Sequence, residues 1–231
     1  MTTIAVRLQA VLSRIAGAAV EAGRSPDEIR LIAVSKTFAT DAIAQANAAR
    51  LTAFGESYLQ EATAKIAALS ALGLEWHYVG PIQSNKTRQI AELFQWVHGV
   101  DRLKIAERLS SSRPASLPPL QICIQVNISG EASKAGVRPD DALALARAVS
   151  ALPGIRLRGL MAVPEPTPDI ALQRARFRQV RELKEDIASH GIALDTLSMG
   201  MSDDLEAAIA EGATLVRVGR AIFGERPPAL P

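Results

Sequence analysis

Lys36 follows the apolar run Leu31-Ile32-Ala33-Val34 with a single serine between. An amine leaving a buried segment is partly desolvated, and desolvation raises the neutral fraction able to attack a carbonyl. A second set of residues lies far along the chain, in Ser198-Met199-Gly200-Met201-Ser202 and Arg217-Val218-Gly219-Arg220-Ala221. Gly200 and Gly219 permit close backbone approach, the Ser202 hydroxyl can donate, and a helix start offers unpaired N–H groups, so these stretches suit a phosphate. Singly, each has an ordinary reading: a surface lysine in a loop, a capped helix, a turn glycine, an Arg217 paired with a carboxylate. Chemistry follows only if the amine and the anion-binding loops meet.

The elements that would bring them together alternate along the chain. Apolar runs predict strands at 31–34, 51–54, 75–79, 96–100, 120–126, 155–163, 194–198 and 215–218. Helical spacing of Ile4, Leu8, Val11, Leu12, Ile15 and Ala19 predicts a helix in front of them, ending near Gly23. Helices are expected after every strand but the last. Pro139 suits the first turn of one, and Ser202 is expected to cap another, with Asp203 and Asp204 in its first turn. Strict alternation implies parallel strands joined by crossover helices, and eight units favour a (β/α)8 barrel over an open doubly wound sheet. One domain is expected over 1–226, with a tail at 227–231. In a barrel the eighth strand lies beside the first, and the loops after the seventh and eighth strands often hold phosphate. That places a phosphate anchor next to Lys36. Two ligand classes fit: a sugar phosphate in a Schiff-base aldolase, and pyridoxal phosphate. If Arg217 faces the mouth, it could meet a pyridine nitrogen and leave it unprotonated.

Composition excludes several other classes. The chain is 48% hydrophobic, enough for one large core. Its 26 Lys and Arg nearly balance 24 Asp and Glu and form no basic stripe, and aromatics make up only 4%, so neither duplex nor single-stranded nucleic acid is an expected partner. The one cysteine, Cys123, rules out an intrachain disulfide and a cysteine-built zinc site; its apolar neighbours mark it as a core residue. His77, His98 and His190 show no metal-ligand spacing and read as structural histidines. No stretch reaches membrane-spanning length and no leader is evident, so a cytoplasmic protein is expected.

Several segments together resemble the pyridoxal phosphate homeostasis protein family. They are Leu31-Ile32-Ala33-Val34-Ser35-Lys36-Thr37, Phe54-Gly55-Glu56-Ser57-Tyr58, Trp76-His77-Tyr78-Val79-Gly80-Pro81-Ile82-Gln83-Ser84-Asn85-Lys86, Gly159-Leu160-Met161-Ala162, 197–204 and 216–224. The resemblance implies a barrel like the cofactor-binding domain of alanine racemases. It also implies pyridoxal 5′-phosphate on Lys36 as a Schiff base, and Arg217 at the pyridine nitrogen. Ser202, Gly219 and the Arg220 backbone N–H would surround the phosphate, with Met161 and Ser198 lining the site. Lys134 falls in another family-like stretch, with an implied part in cofactor traffic. Ser57, also expected at the cofactor, stands where the family usually has asparagine; serine is shorter and has one donor instead of two, so its contact has a shorter reach or goes through a water.

Two functional classes follow, a cofactor carrier and a pyridoxal phosphate enzyme such as an amino-acid racemase. Racemisation needs an acid/base group on each face of the substrate. Lys36 could serve one face, but neither Tyr58 nor Tyr78 is an evident second group, and the second domain of alanine racemases is not seen in the sequence. The carrier is therefore favoured: a monomer that holds the small-molecule cofactor and makes transient contact with apo-enzymes that need it.

Overall fold

The computed structural model describes residues 3–130 and 135–225, so Lys134 and the expected tail at 227–231 lie outside it. Eight parallel strands, β1 (Arg30–Val34), β2 (Ala53–Glu56), β3 (Glu75–Tyr78), β4 (Trp96–Val100), β5 (Leu120–Val126), β6 (Ile155–Ala162), β7 (Thr196–Ser198) and β8 (Leu215–Val218), close into a barrel in sequence order. Closure pairs β1 with β8 in the register Ile32 to Arg217 and Ala33 to Val218. This is the (β/α)8 architecture predicted from the alternation.

Nine α-helices surround the strands among the described residues: α1 (Ile4–Glu21), α2 (Thr40–Ala48), α3 (Leu59–Ala68), α4 (Thr87–Leu93), α5 (Leu103–Ser112), α6 (Pro139–Ser150), α7 (Ile170–Ser189), α8 (Leu205–Ala210) and α9 (Arg220–Phe223). Pro139 opens α6 at its first position with Asp140 and Asp141 in the first turn. Asp169 caps α7, its side chain accepting from the N–H groups of Ala171 and Leu172 at 2.9 and 3.2 Å.

Several boundaries differ from the sequence expectation, two of them for a plain physical reason. Strand β2 begins at Ala53, because Leu51 still closes α2: Arg50 takes a left-handed φ of 69°, and the Leu51 N–H donates back to the Ala46 carbonyl at 3.2 Å. An apolar residue in that position packs under the helix end. Helix α8 begins at Leu205, three residues after Ser202, because the Asp204 carboxylate accepts from the Met201 N–H at 2.6 Å and folds 201–204 into a turn. Ser202 therefore precedes the helix and does not cap it. Strand β8 is followed by the one-turn helix α9, which no apolar periodicity announced.

That short α9 leaves the outer ring thin, and α1 fills the place. It packs against α2, α8 and α9, burying Leu8, Val11, Ile15, Ala18 and Ala19. Arg14 on α1 donates to Glu206 at 2.7 and 2.9 Å and to the Ser202 carbonyl at 3.0 Å. The core has two parts. One lies between strands and helices; the other, formed by Ile32, Trp96, Cys123, Met161 and Leu215, fills the barrel, as the alternation of inward and outward residues along each strand requires. Burial drives the Cys123 thiol up to about 12, so it is an unreactive packing residue. Among the described residues no helix is long and apolar enough to cross a membrane.

Barrel closure depends on close strand approach at Gly159, where an added Cβ would sit 1.8 Å from the Thr196 carbonyl oxygen. Gly159→Ala is expected to cost roughly 3 kcal/mol or more in urea unfolding. Gly17→Ala, on a helix with open space around it, is expected to stabilise by about 0.4–1 kcal/mol. Equal effects would contradict this packing.

Candidate functional site

At the carboxyl end of the barrel lies a cavity of about 510 Å3. Lys36, Ser57, Ser202, Arg217, Gly219 and Arg220 all line it, beside Val34, Phe38, Val79, Val163 and Met201. Six of the nine residues singled out by sequence thus meet at one opening. The other three stand behind it. Met161 is buried in the barrel interior, packed with Ile32, Trp96, Cys123 and Leu215. Ser198 is fully buried beneath the Arg217 guanidinium. Gly200 is buried with φ of 93°; an added Cβ would meet that of Ala208 at 2.6 Å, and its carbonyl accepts from the Arg217 N–H at 2.9 Å. Its role is to let the β7 loop turn under the site.

Lys36 is held by the residues on either side of it. The Ser35 N–H donates to the Gly55 carbonyl at 2.9 Å and its hydroxyl to Glu56 Oε1 at 2.6 Å. Lys65, a buried lysine on α3, donates to the Ser35 carbonyl at 2.7 Å and to Glu56 Oε1 at 2.8 Å, and pairs with Glu61. Glu61 in turn accepts from the Thr37 N–H at 2.6 Å, where Thr37 takes an uncommon φ of 71°. Beyond it the Phe38 ring packs on Phe223 of α9 with centroids 5.0 Å apart. The Lys36 loop is thereby fastened to β2, α3 and α9 together. Burial pushes the Glu56 carboxyl above its ordinary range, and the Lys65 ammonium works against that shift. Sequence reasoning passed over this cluster. The available signal was Lys65 on the apolar face of α3, three residues after Ala62 and four before Leu69.

Arg217 forms the floor. Its Nη1 donates to the Ser198 carbonyl and hydroxyl, both at 2.6 Å, and its Nη2 to the Ala162 carbonyl at 2.9 Å. Those three bonds leave two of the five guanidinium N–H groups for the cavity. Burial lowers the group to about 10, with Asp204 offsetting part of that, so it stays charged near neutral pH. Ser202 and the start of α9 line the same cavity, with Gly219 close against the end of β1. Gly219 is the residue before α9, whose first N–H groups have no acceptor within the helix. The Arg220 side chain is paired with Asp203 at 2.5 Å, and its backbone N–H stands at the start of α9. The cavity therefore offers an amine, a fixed cation at its floor and neutral donors. An aldehyde, a ring acceptor and a phosphate on one small molecule match that set. Among the cavity-lining residues there is no tyrosine, histidine or cysteine. The Tyr78 hydroxyl is engaged with the Ser57 and Pro81 carbonyls at 3.3 and 3.2 Å, and Tyr58 is exposed. Among the described residues no group of histidine, cysteine and carboxylate side chains is arranged to hold a metal.

The family model of the alanine racemase N-terminal domain matches residues 6–227. The pyridoxal phosphate homeostasis protein of Pseudomonas aeruginosa is 61% identical over 231 residues, covering 100% of this chain and 99% of its own. That of Escherichia coli K12 is 51% identical over 229 residues, covering 98% of each. Among solved structures, PipY of Synechococcus elongatus with PLP bound matches with a TM-score of 0.84 at 37% identity, over 96% of this chain and 100% of that one. An alanine racemase of Clostridium difficile shares the fold, with a TM-score of 0.69 at 14% identity over 94% of this chain and 57% of the racemase chain.

The Lys65 clamp yields a prediction. Lys65→Met strands the buried Glu56 carboxylate and is expected to cost about 3–5 kcal/mol in denaturant unfolding, with part recovered in the double variant with Glu56→Gln. A loss of less than about 1 kcal/mol, the worth of an exposed pair, would contradict the assigned burial.

Proposed function

The chain belongs to the pyridoxal phosphate homeostasis protein family, and from that premise we propose that it holds pyridoxal 5′-phosphate at the barrel mouth, with Lys36 taking the aldehyde as a Schiff base, and yields it to other proteins without strong catalysis of its own. The observation that carries this reading is the convergence of Lys36, Arg217 and the Ser202 and Gly219–Arg220 loops on one cavity of about 510 Å3.

The residues fit the group. Ser202, Gly219 and the Arg220 N–H would hold the phosphate through neutral donors and the α9 N-terminus. Arg217 donates and has no proton it readily gives up, so it would hold the pyridine nitrogen as an acceptor. Met161, Ser198 and Gly200 support the floor from below, Ser198 through its bond to Arg217. Ser57 lines the same cavity with one hydroxyl, a shorter reach than an asparagine would have. Bound there, the cofactor supplies an aldehyde for amines and a pyridine ring that withdraws electrons, weakly when unprotonated.

What the chain itself contributes is retention without acid/base control of a second face. The Lys36 amine stands on one side; of the two carboxylates that line the cavity, Asp203 is paired with Arg220 and Glu225 is exposed. A carrier needs no more than this. The same reading has the protein working in the cytoplasm as a monomer in transient contact with apo-enzymes.

Addition of pyridoxal 5′-phosphate to the purified protein is expected to give a visible imine absorption band, absent in Lys36→Ala. The loaded protein is expected to restore activity to a pyridoxal phosphate-requiring apo-enzyme. A panel of amino acids is expected to show neither racemisation nor decarboxylation. Robust turnover in that panel, with no transfer to the apo-enzyme, would replace the carrier by an enzyme.

A further inference from the structure

Below Arg217, the barrel interior carries an unbroken file of polar side chains through an otherwise apolar core. Arg217 Nη1 lies 2.6 Å from Ser198 Oγ, Ser198 Oγ 2.7 Å from His98 Nδ1, His98 Nε2 2.9 Å from His77 Nδ1, and His77 Nε2 2.6 Å from Glu75 Oε1. Glu75 then pairs with Arg30 at 2.7 Å, where both side chains reach solvent. Ser198, His98 and His77 have no solvent exposure. The file runs from the first residue of β3, at the amino end of the barrel, to the floor of the cavity at the carboxyl end.

Its chemistry allows one direction only. An ionised Glu75 can only accept, so His77 must carry its proton on Nε2. A neutral His77 then accepts at Nδ1, which requires His98 to donate from Nε2. His98 accepts at Nδ1 from the Ser198 hydroxyl, and Ser198 accepts from Arg217. Each donor meets one acceptor, and a buried cation and a half-buried anion are joined through three neutral groups. Burial disfavours the charged form of both imidazoles, and Arg217 adds to that at His98. Burial of Glu75 opposes its ionisation, but the His77 hydrogen bond and Arg30 outweigh it and hold the carboxyl below its ordinary range. The His77 ring is further fixed by stacking on Trp96, 12° from parallel with centroids 5.5 Å apart.

We propose that Glu75, His77 and His98 are positioning residues: acting through Ser198, they lock the Arg217 guanidinium as a donor facing the cavity, from the opposite end of the barrel. Its consequence for cofactor retention rests on the reading of the cavity given above; the locking of Arg217 does not. A purely apolar barrel interior would leave the Ser198 hydroxyl free to rotate and one Arg217 N–H without a directed acceptor. Buried polar groups in this position are costly unless satisfied, and here Ser198, His98, His77 and Glu75 each have their partners.

The test has two parts. In the cofactor-free protein, nitrogen-15 NMR is expected to show His77 and His98 neutral, each with a slowly exchanging Nε2–H and a bare Nδ1, and the Arg217 side-chain N–H signals protected from exchange. His98→Gln, long enough to reach His77 but not to accept from Ser198, is expected to remove that protection; His98→Asn, with an oxygen near the Nδ1 position, is expected to keep much of it. In the loaded protein, His98→Gln is expected to speed cofactor dissociation about fivefold or more. That effect is expected to vanish in an Arg217→Gln background, because the relay works only through Arg217. An imidazole found charged or carrying its proton on Nδ1, or Arg217 signals unmoved by His98→Gln, would overturn the proposal. An equal change in dissociation with and without Arg217 would reduce the histidines to a general structural role. If the wild-type protein takes up no cofactor, the reading of the cavity fails while the NMR result still decides the relay.

Discussion

A guanidinium buried at the mouth of a parallel barrel is the constraint around which this structure is built. An unpaired charge in that environment is strongly unfavourable. Arg217 is satisfied by two carbonyls and one hydroxyl drawn from β6 and β7, the strands nearest it on one side. Those bonds require the ends of β6, β7 and β8 to sit at set heights. The register that pairs Met161 with Ser198 and Ser198 with Leu215 delivers them. The same demand explains the polar file beneath, since the Ser198 hydroxyl that serves Arg217 must itself be served.

The nucleophile side is built by a different device. Lys36 sits on a loop, and loops are the mobile parts of a barrel. Here the flanking residues Ser35 and Thr37 are bound by an ion cluster of Glu56, Glu61 and Lys65, and Phe38 packs on Phe223. Because α9 carries Phe223 and also follows Gly219, the anchor for the Lys36 loop and the Gly219 turn share one element. Helix α1 packs on that element from outside, and Arg14 ties it also to α8 and the turn before it, through Glu206 and the Ser202 carbonyl. The frontal helix is thus part of the site's scaffold: it occupies the place of the eighth barrel helix, which α9 is too short to fill.

The barrel was legible because strand–helix alternation is a long-range pattern that survives errors at each boundary. What failed were residues whose local role depends on neighbours distant in sequence. Leu51 looked like a strand start and is the apolar plug of α2. Ser202 looked like a cap, and Asp204 took that turn. Lys36, Arg217 and the two loops were singled out because they lie at strand ends, where a barrel concentrates chemistry, and they share one cavity. Lys65 was passed over, and His77 and His98 were read only as structural, because charge on a helix and isolated histidines usually have ordinary explanations. Glu75 and His77 are two residues apart on one strand and so share a face, but His98 and Ser198 join them only when the barrel closes. The two histidines are structural, as expected, and their partners give that word content.

The central claim is that Lys36 is the amine that holds pyridoxal 5′-phosphate. Its most direct test is to load the protein, reduce it with borohydride and map the modified peptide by mass spectrometry. The account predicts one stable adduct, on Lys36, formed by the wild-type protein. Label confined to another lysine, or no label above that seen in Lys36→Ala, would contradict it.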